Sequence, residues 1–132
     1  MKEKLIKLLE NSYSPYSNFP VASIVVTKNL NEFSGVNVED ASTRAGSCAE
    51  RVALFSCITA GYKKGDIKEI NIMTNGEVST PCFVCRQMIL ELCDKDTLIN
   101  CYNTAGEVKT YTVEELCPYP FSEDDLKWNQ DL

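Results

Sequence analysis

Histidine is missing altogether from the 132 residues. Its absence excludes serine–histidine and cysteine–histidine machinery and every imidazole-ligated metal site, since each needs the ring nitrogen. A general base must then be a carboxylate, a lysine, a tyrosine or a metal-activated water, and a soft-metal site must be built from thiolate. Basic residues are also scarce: 13 Lys and Arg against 19 Asp and Glu leave a formal net charge of −6. Such a field repels polyanions, which argues against non-specific binding of nucleic acid. No apolar run nears the roughly 18–20 residues of a membrane span. The stretch Met1-Lys-Glu-Lys-Leu-Ile-Lys-Leu-Leu-Glu10 alternates charge with apolar residues and lacks a signal-peptide core. A soluble, cytoplasmic protein is expected. Repeats, low-complexity tracts and linkers are lacking too, so residues 1–132 are expected to form one domain.

Cysteine, by contrast, is plentiful, at positions 48, 57, 82, 85, 93, 101 and 117. An odd number without a secretion signal argues against a disulfide framework. Thiols kept reduced serve metals or catalysis, and the remainder pack as small apolar residues.

Leu5, Ile6, Leu8 and Leu9 recur at helical spacing and predict an amphipathic helix over residues 2 to about 11. Residues 11–18 are rich in turn formers and read as a loop. A buried strand is expected over 21–27, a hairpin turn at 29–31 and a return strand over 32–38. A polar loop, 39–47, leads into a helix that starts at Cys48 and ends at Gly61, where a C-terminal cap belongs. A second buried strand spans 67–74, and a helix opens at 79–82 and runs to Leu92, with Pro81 in or near its first turn. Strands at 97–102 and 108–112 flank an Ala105-Gly106 turn; short helical turns follow at 113–116 and, with Ser122 as cap, 122–126. Helices alternating with strands in this order predict a mixed five-stranded α/β sheet with helices on both faces.

Two helices therefore begin at cysteines. The first opens Cys48-Ala-Glu50-Arg51; the second follows Thr80-Pro81 as Cys82-Phe-Val-Cys85-Arg86-Gln87. Cys82 and Cys85, three apart, put their sulfurs on nearly the same side of a helical turn. If the Cys48 helix docks beside them, three sulfurs converge where two helix N-termini favour thiolate. Three protein ligands leave a tetrahedral position open, as in a catalytic zinc site. Three thiolates around a divalent ion leave one net negative charge, which Arg51 and the helix dipoles can offset. Glu50 sits about 200° around the helix from Cys48, so it need not be a ligand; near the open position it can carry protons. A Cys-x-x-Cys alone also serves structural zinc and redox dithiols, and Arg51 or Glu50 alone would be an ordinary helix residue. No Trp-Cys-Gly-Pro-Cys context supports a redox site, and Cys57, Cys93, Cys101 and Cys117 have no paired spacing to supply a fourth ligand.

Cys-Ala-Glu-Arg followed some thirty residues later by Pro-Cys-x-x-Cys-Arg-Gln resembles the small, all-cysteine, homotetrameric cytidine deaminases. Tyr13-Ser-Pro-Tyr-Ser-Asn-Phe-Pro-Val21 is similar to the loop leading into that family's site, and Gly35-Val-Asn-Val-Glu39 to its ribose-binding strand end. Residues 114–118 and 121–126 resemble its C-terminal segment. The resemblance implies a three-layer α-β-α sandwich and one zinc ion on Cys48, Cys82 and Cys85, with Glu50 as proton shuttle and Arg51 neutralising thiolate charge. It implies Asn37 and Glu39 on the ribose hydroxyls, Phe19 against the pyrimidine, and the backbone of Ala49 and Thr80 on the base edge, with Pro81 shaping that wall. Phe121 would reach the base in a neighbouring subunit, so the homotetramer would have composite sites. The reaction implied is hydrolytic: water adds at C4 of cytosine while Glu50 protonates N3 and then the departing amine, giving uridine or deoxyuridine and ammonia in pyrimidine salvage.

Four positions depart from the family pattern. Phe83 stands where glycine is common, and its ring is expected in the core beside Val84. Ala22 replaces a glycine, Asp40 replaces an asparagine after Glu39, and the 41–47 loop lacks an aromatic residue. Two alternatives follow: a deaminase of the same fold acting on a modified cytosine nucleoside or a cytosine-bearing antibiotic, and a non-catalytic module stabilised by zinc. Polynucleotide editing is disfavoured by the charge and by the lack of a basic channel.

Overall fold

A computed structural model of the chain describes residues 1–130, and of 127–130 only the backbone. Along the chain run α1 (Lys2–Leu9), β1 (Val21–Thr27), β2 (Glu32–Val36), α2 (Ala49–Thr59), β3 (Ile67–Thr74), α3 (Phe83–Leu92), β4 (Leu98–Asn103), β5 (Val108–Thr112), α4 (Val113–Leu116) and a 3-10 helix (Glu123–Gln130). The strands form one sheet in the order β2-β1-β3-β4-β5, with β3 and β4 parallel and the other neighbours antiparallel. The expected mixed five-stranded sheet is thus present. No helix among the described residues is long and apolar enough to cross a membrane.

Both faces of β1 are covered, which is why it reads as an almost unbroken apolar run. On one face Leu5 of α1 packs on Ala22, Ile24, Val26 and Met73, with Leu8 and Leu9 at its margin. Ile6 points away from that seam and is exposed. On the other face Ala53, Leu54 and Cys57 of α2 and Ile89 of α3 meet Val25, Ile70, Ile72 and Ile99. Cys57, Cys93 and Cys101 are buried and Cys117 half-buried, as expected of thiols that pack rather than ligate. Beyond α1 the first face becomes polar: Asn100 donates to Glu69 at 2.6 Å and to Asn71 at 3.0 Å, and accepts from Thr110 at 2.8 Å.

Several boundaries differ from the sequence expectation, and two of them matter for the site. The return strand leaves the β1 ladder after Val36. Val38 instead bridges Tyr13 on one side and Ser47 on the other, so residues 37–39 peel off to floor a cleft. The third helix starts at Phe83 with Cys82 as its cap residue, which puts Pro81 ahead of the cap rather than in the first turn. The first helix ends at Leu9, because the chain turns through Asn11 and Ser12 to reach Tyr13. Helix α2 closes at Gly61, whose φ of +103° lets its N–H reach Ile58 O at 3.0 Å and the next N–H reach Cys57 O.

Candidate functional site

The docking of α2 on β2 sets the site. At Gly35 an added Cβ would lie 2.5 Å from the Ala49 carbonyl and 2.6 Å from the Ala53 nitrogen. The missing side chain therefore lets the first turn of α2 sit directly on the strand. Cys48 is the extended cap residue of α2 and Cys82 that of α3. The Cys82 sulfur accepts the Cys85 N–H at 3.5 Å, the role an oxygen plays in an ordinary helix cap.

These caps bring Cys48, Cys82 and Cys85 together, their sulfurs all within 4.8 Å of one another. Cys48 Sγ lies 3.9 Å from Cys82 Sγ. Zinc–sulfur bonds of about 2.3 Å in tetrahedral array separate their sulfurs by about 3.8 Å, so the donor set fits one zinc ion. Arg51 reaches over the cluster, its Nη2 3.6 Å from Cys48 Sγ. Its Nε is buried with no hydrogen-bond partner among the described residues. A hydrogen bond from the Cys85 thiol and the Arg51 guanidinium bring Cys48 down to about 5. Cys85 moves up instead, because it holds the proton that it gives to Cys48 and is itself buried. A thiol partly ionised without metal is a suitable anchor for a cation.

Glu50, in the first turn of α2, is only 4% exposed. Burial pushes its carboxyl proton affinity up, and the neighbouring Cys48 pushes it further. That suits a group that must take up a proton and give it away.

Cys48 and Arg51 also line a cleft of about 430 Å³, together with Tyr16, Ser17, Asn37 and Glu39. The expected sugar residues Asn37 and Glu39 thus share one cavity with Cys48, whereas Cys82, Cys85, Glu50 and Phe19 are not among the residues lining it. Asn37 Oδ1 accepts from Val21 N–H at 2.9 Å and from the Ser12 hydroxyl, while its Nδ2 donates to Phe19 O at 2.8 Å. Phe19 itself is exposed at the edge of this loop. Ala49 and Pro81 are buried, and exposed Thr80 accepts from Arg86 Nη2 at 2.8 Å.

Phe121 lies elsewhere, in a groove with Phe83 and Tyr119 on the outer side of α3. Its carbonyl accepts from Gln87 Nε2 at 2.7 Å. Phe83 is not in the core: the residue is 74% exposed, Val84 beside it is exposed as well, and the Arg86 guanidinium stacks 4.3 Å from the Phe83 centroid. The expectation fails because Cys85 and Ile89 take the inward face of α3, which leaves the two positions between the cysteines pointing out.

Three residues that hold the site together escaped the sequence reading. Arg86 donates to Pro81 O, Leu116 O and Thr80 Oγ1 at 2.7–2.8 Å, tying the turn before Cys82 to the C-terminal segment. Its adjacency to Cys85 was the available signal. Asp40 accepts from Ser42 N–H and hydroxyl, Ala45 N–H and Gly46 N–H, bracing the loop that ends at Cys48. Gly35 was visible only as a glycine in a strand.

Residues 1–101 match the sequence model of the cytidine and deoxycytidylate deaminase zinc-binding region. The chain is 35% identical over 130 residues to a cytidine deaminase of Sporosarcina psychrophila, covering 96% of this chain and 95% of that one. It is 34% identical over 125 residues to a cytidine deaminase of Halalkalibacterium halodurans, covering 94% and 93%. Its structure is similar to the crystal structure of cytidine deaminase from Burkholderia pseudomallei, with a TM-score of 0.86 and 37% identity over 90% of this chain and 94% of that one.

Proposed function

This chain belongs to the cytidine and deoxycytidylate deaminase family, and on that premise we propose that it hydrolyses cytidine and 2′-deoxycytidine to the uracil nucleosides and ammonia. The observation that carries the reading is the sulfur triad at two helix N-termini with a buried carboxyl, Glu50, in the same first turn. Cys48, Cys82 and Cys85 would hold one zinc ion. When bound, it supplies a Lewis acid that makes water nucleophilic at neutral pH.

The remaining work falls to the chain's own groups. Glu50 takes a proton from the attacking water and delivers it to N3 as oxygen adds at C4; it then takes the proton of the new C4 hydroxyl and passes it to the exocyclic nitrogen, so that the C4–N bond breaks, ammonia leaves and the C4 carbonyl forms. Its raised proton affinity matches that alternation of base and acid. Arg51 balances the negative charge of three thiolates. In the cleft Glu39, with one remaining donor on Asn37, accepts and donates to the sugar hydroxyls, and Phe19 borders the pyrimidine. The backbone of Ala49 and Thr80, with Pro81 behind them, forms the wall on the base edge. A volume of about 430 Å³ is enough for a nucleoside.

The whole chain acts as one catalytic domain, assembled as a homotetramer in the cytoplasm. Exposed Phe83, Val84 and Phe121 on the α3 side are the surface that such an assembly would cover, with Phe121 completing a neighbour's site. Zinc per chain, measured beside the loss of cytidine absorbance, tests the proposal, and Glu50→Ala identifies the proton carrier. Deamination is expected to fall by about 10²–10⁴ with zinc content and thermal unfolding unchanged. An active Glu50→Ala enzyme would remove Glu50 from the chemistry, and a zinc-loaded wild type inert toward cytidine and toward modified cytosine nucleosides would leave a binding module.

A further inference from the structure

The two residues proposed to meet the sugar are held by the loop at residues 13–19 before any substrate arrives. Glu39 Oε1 accepts the backbone N–H groups of Tyr16 and Ser17, each at 3.1 Å, and Oε2 accepts the Ser17 hydroxyl. The same hydroxyl accepts the Phe19 N–H at 3.1 Å. Asn18, at φ 53°, makes a left-handed turn between Ser17 and Phe19. Ser17 lines the cleft between Glu39 and the bulk of the loop.

We propose that Ser17 is a positioning residue for the deamination substrate: its hydroxyl fixes the Glu39 carboxylate and the Phe19 backbone in one geometry. The inference rests on the reading of Glu39 as the sugar acceptor given above. A carboxylate offers about four lone-pair directions, and three are taken by Tyr16 and Ser17. One stays open, on a side chain whose rotamer is already set. A sugar hydroxyl then binds without the entropy loss of ordering that side chain. Because Ser17 meets the sugar end through Glu39 and not the reacting carbon, it contributes to the ground and transition states alike, a uniform-binding effect.

The electrostatics agree. Glu39 is held below the usual carboxylate range, first by the Ser17 hydroxyl and then by the Ser17 and Tyr16 N–H groups. Around the cleft the other titratable or charged groups are Tyr16 on the loop, Asp40 next in the chain, and Cys48 and Arg51 at the start of α2.

The test compares Ser17→Ala, Ser17→Thr and Glu39→Gln in the zinc-loaded enzyme, with kcat and KM for cytidine followed from about pH 5 to 8. Ser17→Ala is expected to raise KM roughly five- to tenfold with kcat within about twofold. Its acid-side rise in KM should begin at higher pH than in the wild type, since Glu39 loses its main donor. Ser17→Thr, which keeps the hydroxyl, restores both. If Glu39→Gln raises KM while Ser17→Ala does not, the positioning role is wrong and the sugar reading stands. If neither moves KM, the sugar reading fails and takes this inference with it. A Ser17→Ala enzyme that loses kcat, keeps the wild-type pH profile and is not restored by threonine marks a merely structural residue and overturns the proposal.

Discussion

Arg51 shows how a single side chain can decide whether three sulfurs make a usable site. Its guanidinium touches Cys48 and leaves a buried Nε without a partner among the described residues. Burying such a nitrogen unpaired costs free energy, which is tolerable only where the positive charge is repaid by nearby anions. Replacing Arg51 by Gln removes the charge and keeps much of the volume. Cys48, held near 5 in part by that charge, then moves back toward the ordinary thiol range. Protons compete better for the sulfur at a given pH, so zinc is expected to leave at a higher pH than from the wild type. Affinity at neutral pH should fall about ten- to a hundredfold. Zinc release into a chromogenic chelator, followed as pH is lowered, measures both; overlapping release curves would place Arg51 among the solvated helix residues.

At the scale of elements, the site depends on where two helices begin, and Gly35 controls the first. Gly35→Ala puts a methyl group within 2.6 Å of backbone atoms at Ala49 and Ala53. Backbone cannot step aside as a flexible side chain can, so α2 must lift from the sheet and carry Cys48 with it. Overpacking of this kind costs about 1–3 kcal/mol, and zinc binding should weaken alongside stability. Gly76→Ala meets nothing within 4 Å and serves as the control in urea unfolding with parallel zinc titration. Equal behaviour of the two variants would show that α2 docks with slack. The same pair explains what a sequence reader could see. Helix starts at Cys48 and Cys82 were legible because cysteine spacing, a proline and a closing glycine are local signals. The ends of β1, β3 and β5 were legible because polar turn formers follow the first two and Thr112 caps the helical turn that follows the third. Close approach at Gly35, the outward turn of Phe83 and the departure of residues 37–39 from the sheet were not, since each depends on which neighbour arrives from elsewhere in the chain. Among candidate site residues the Cys82 and Cys85 pair was legible for the same local reason and Cys48 joined it through the family resemblance, whereas the Ser17 and Asp40 clasps needed the folded loops.

For the molecule as a whole, the cysteines that do not face the cleft couple stability to alkaline pH. Cys93 is pushed up to about 12 and Cys101 to about 11, in both cases chiefly by burial in the core. In the unfolded chain a thiol ionises near pH 8.5–9, roughly its free value. Below that range both states keep their protons and these groups leave stability unchanged. Above it the unfolded chain releases protons that the folded chain retains, so the unfolded state binds fewer and stability falls as pH rises. Each thiol contributes about 1.4 kcal/mol per pH unit until its own folded value is reached, or about 2–3 kcal/mol for the pair by pH ~10. Tyr102, also raised by burial, acts in the same direction. A double variant, Cys93→Ala with Cys101→Ala, starts from lower stability because it leaves small cavities, yet its slope above pH 9 should be shallower by that amount. Urea unfolding of both proteins from about pH 7 to 10, with zinc and reductant held constant, separates the slope from the offset. Parallel curves would mean that these sulfurs ionise in the folded core as readily as in water, and that the layer between the sheet and helices α2 and α3 is wetter than its packing implies.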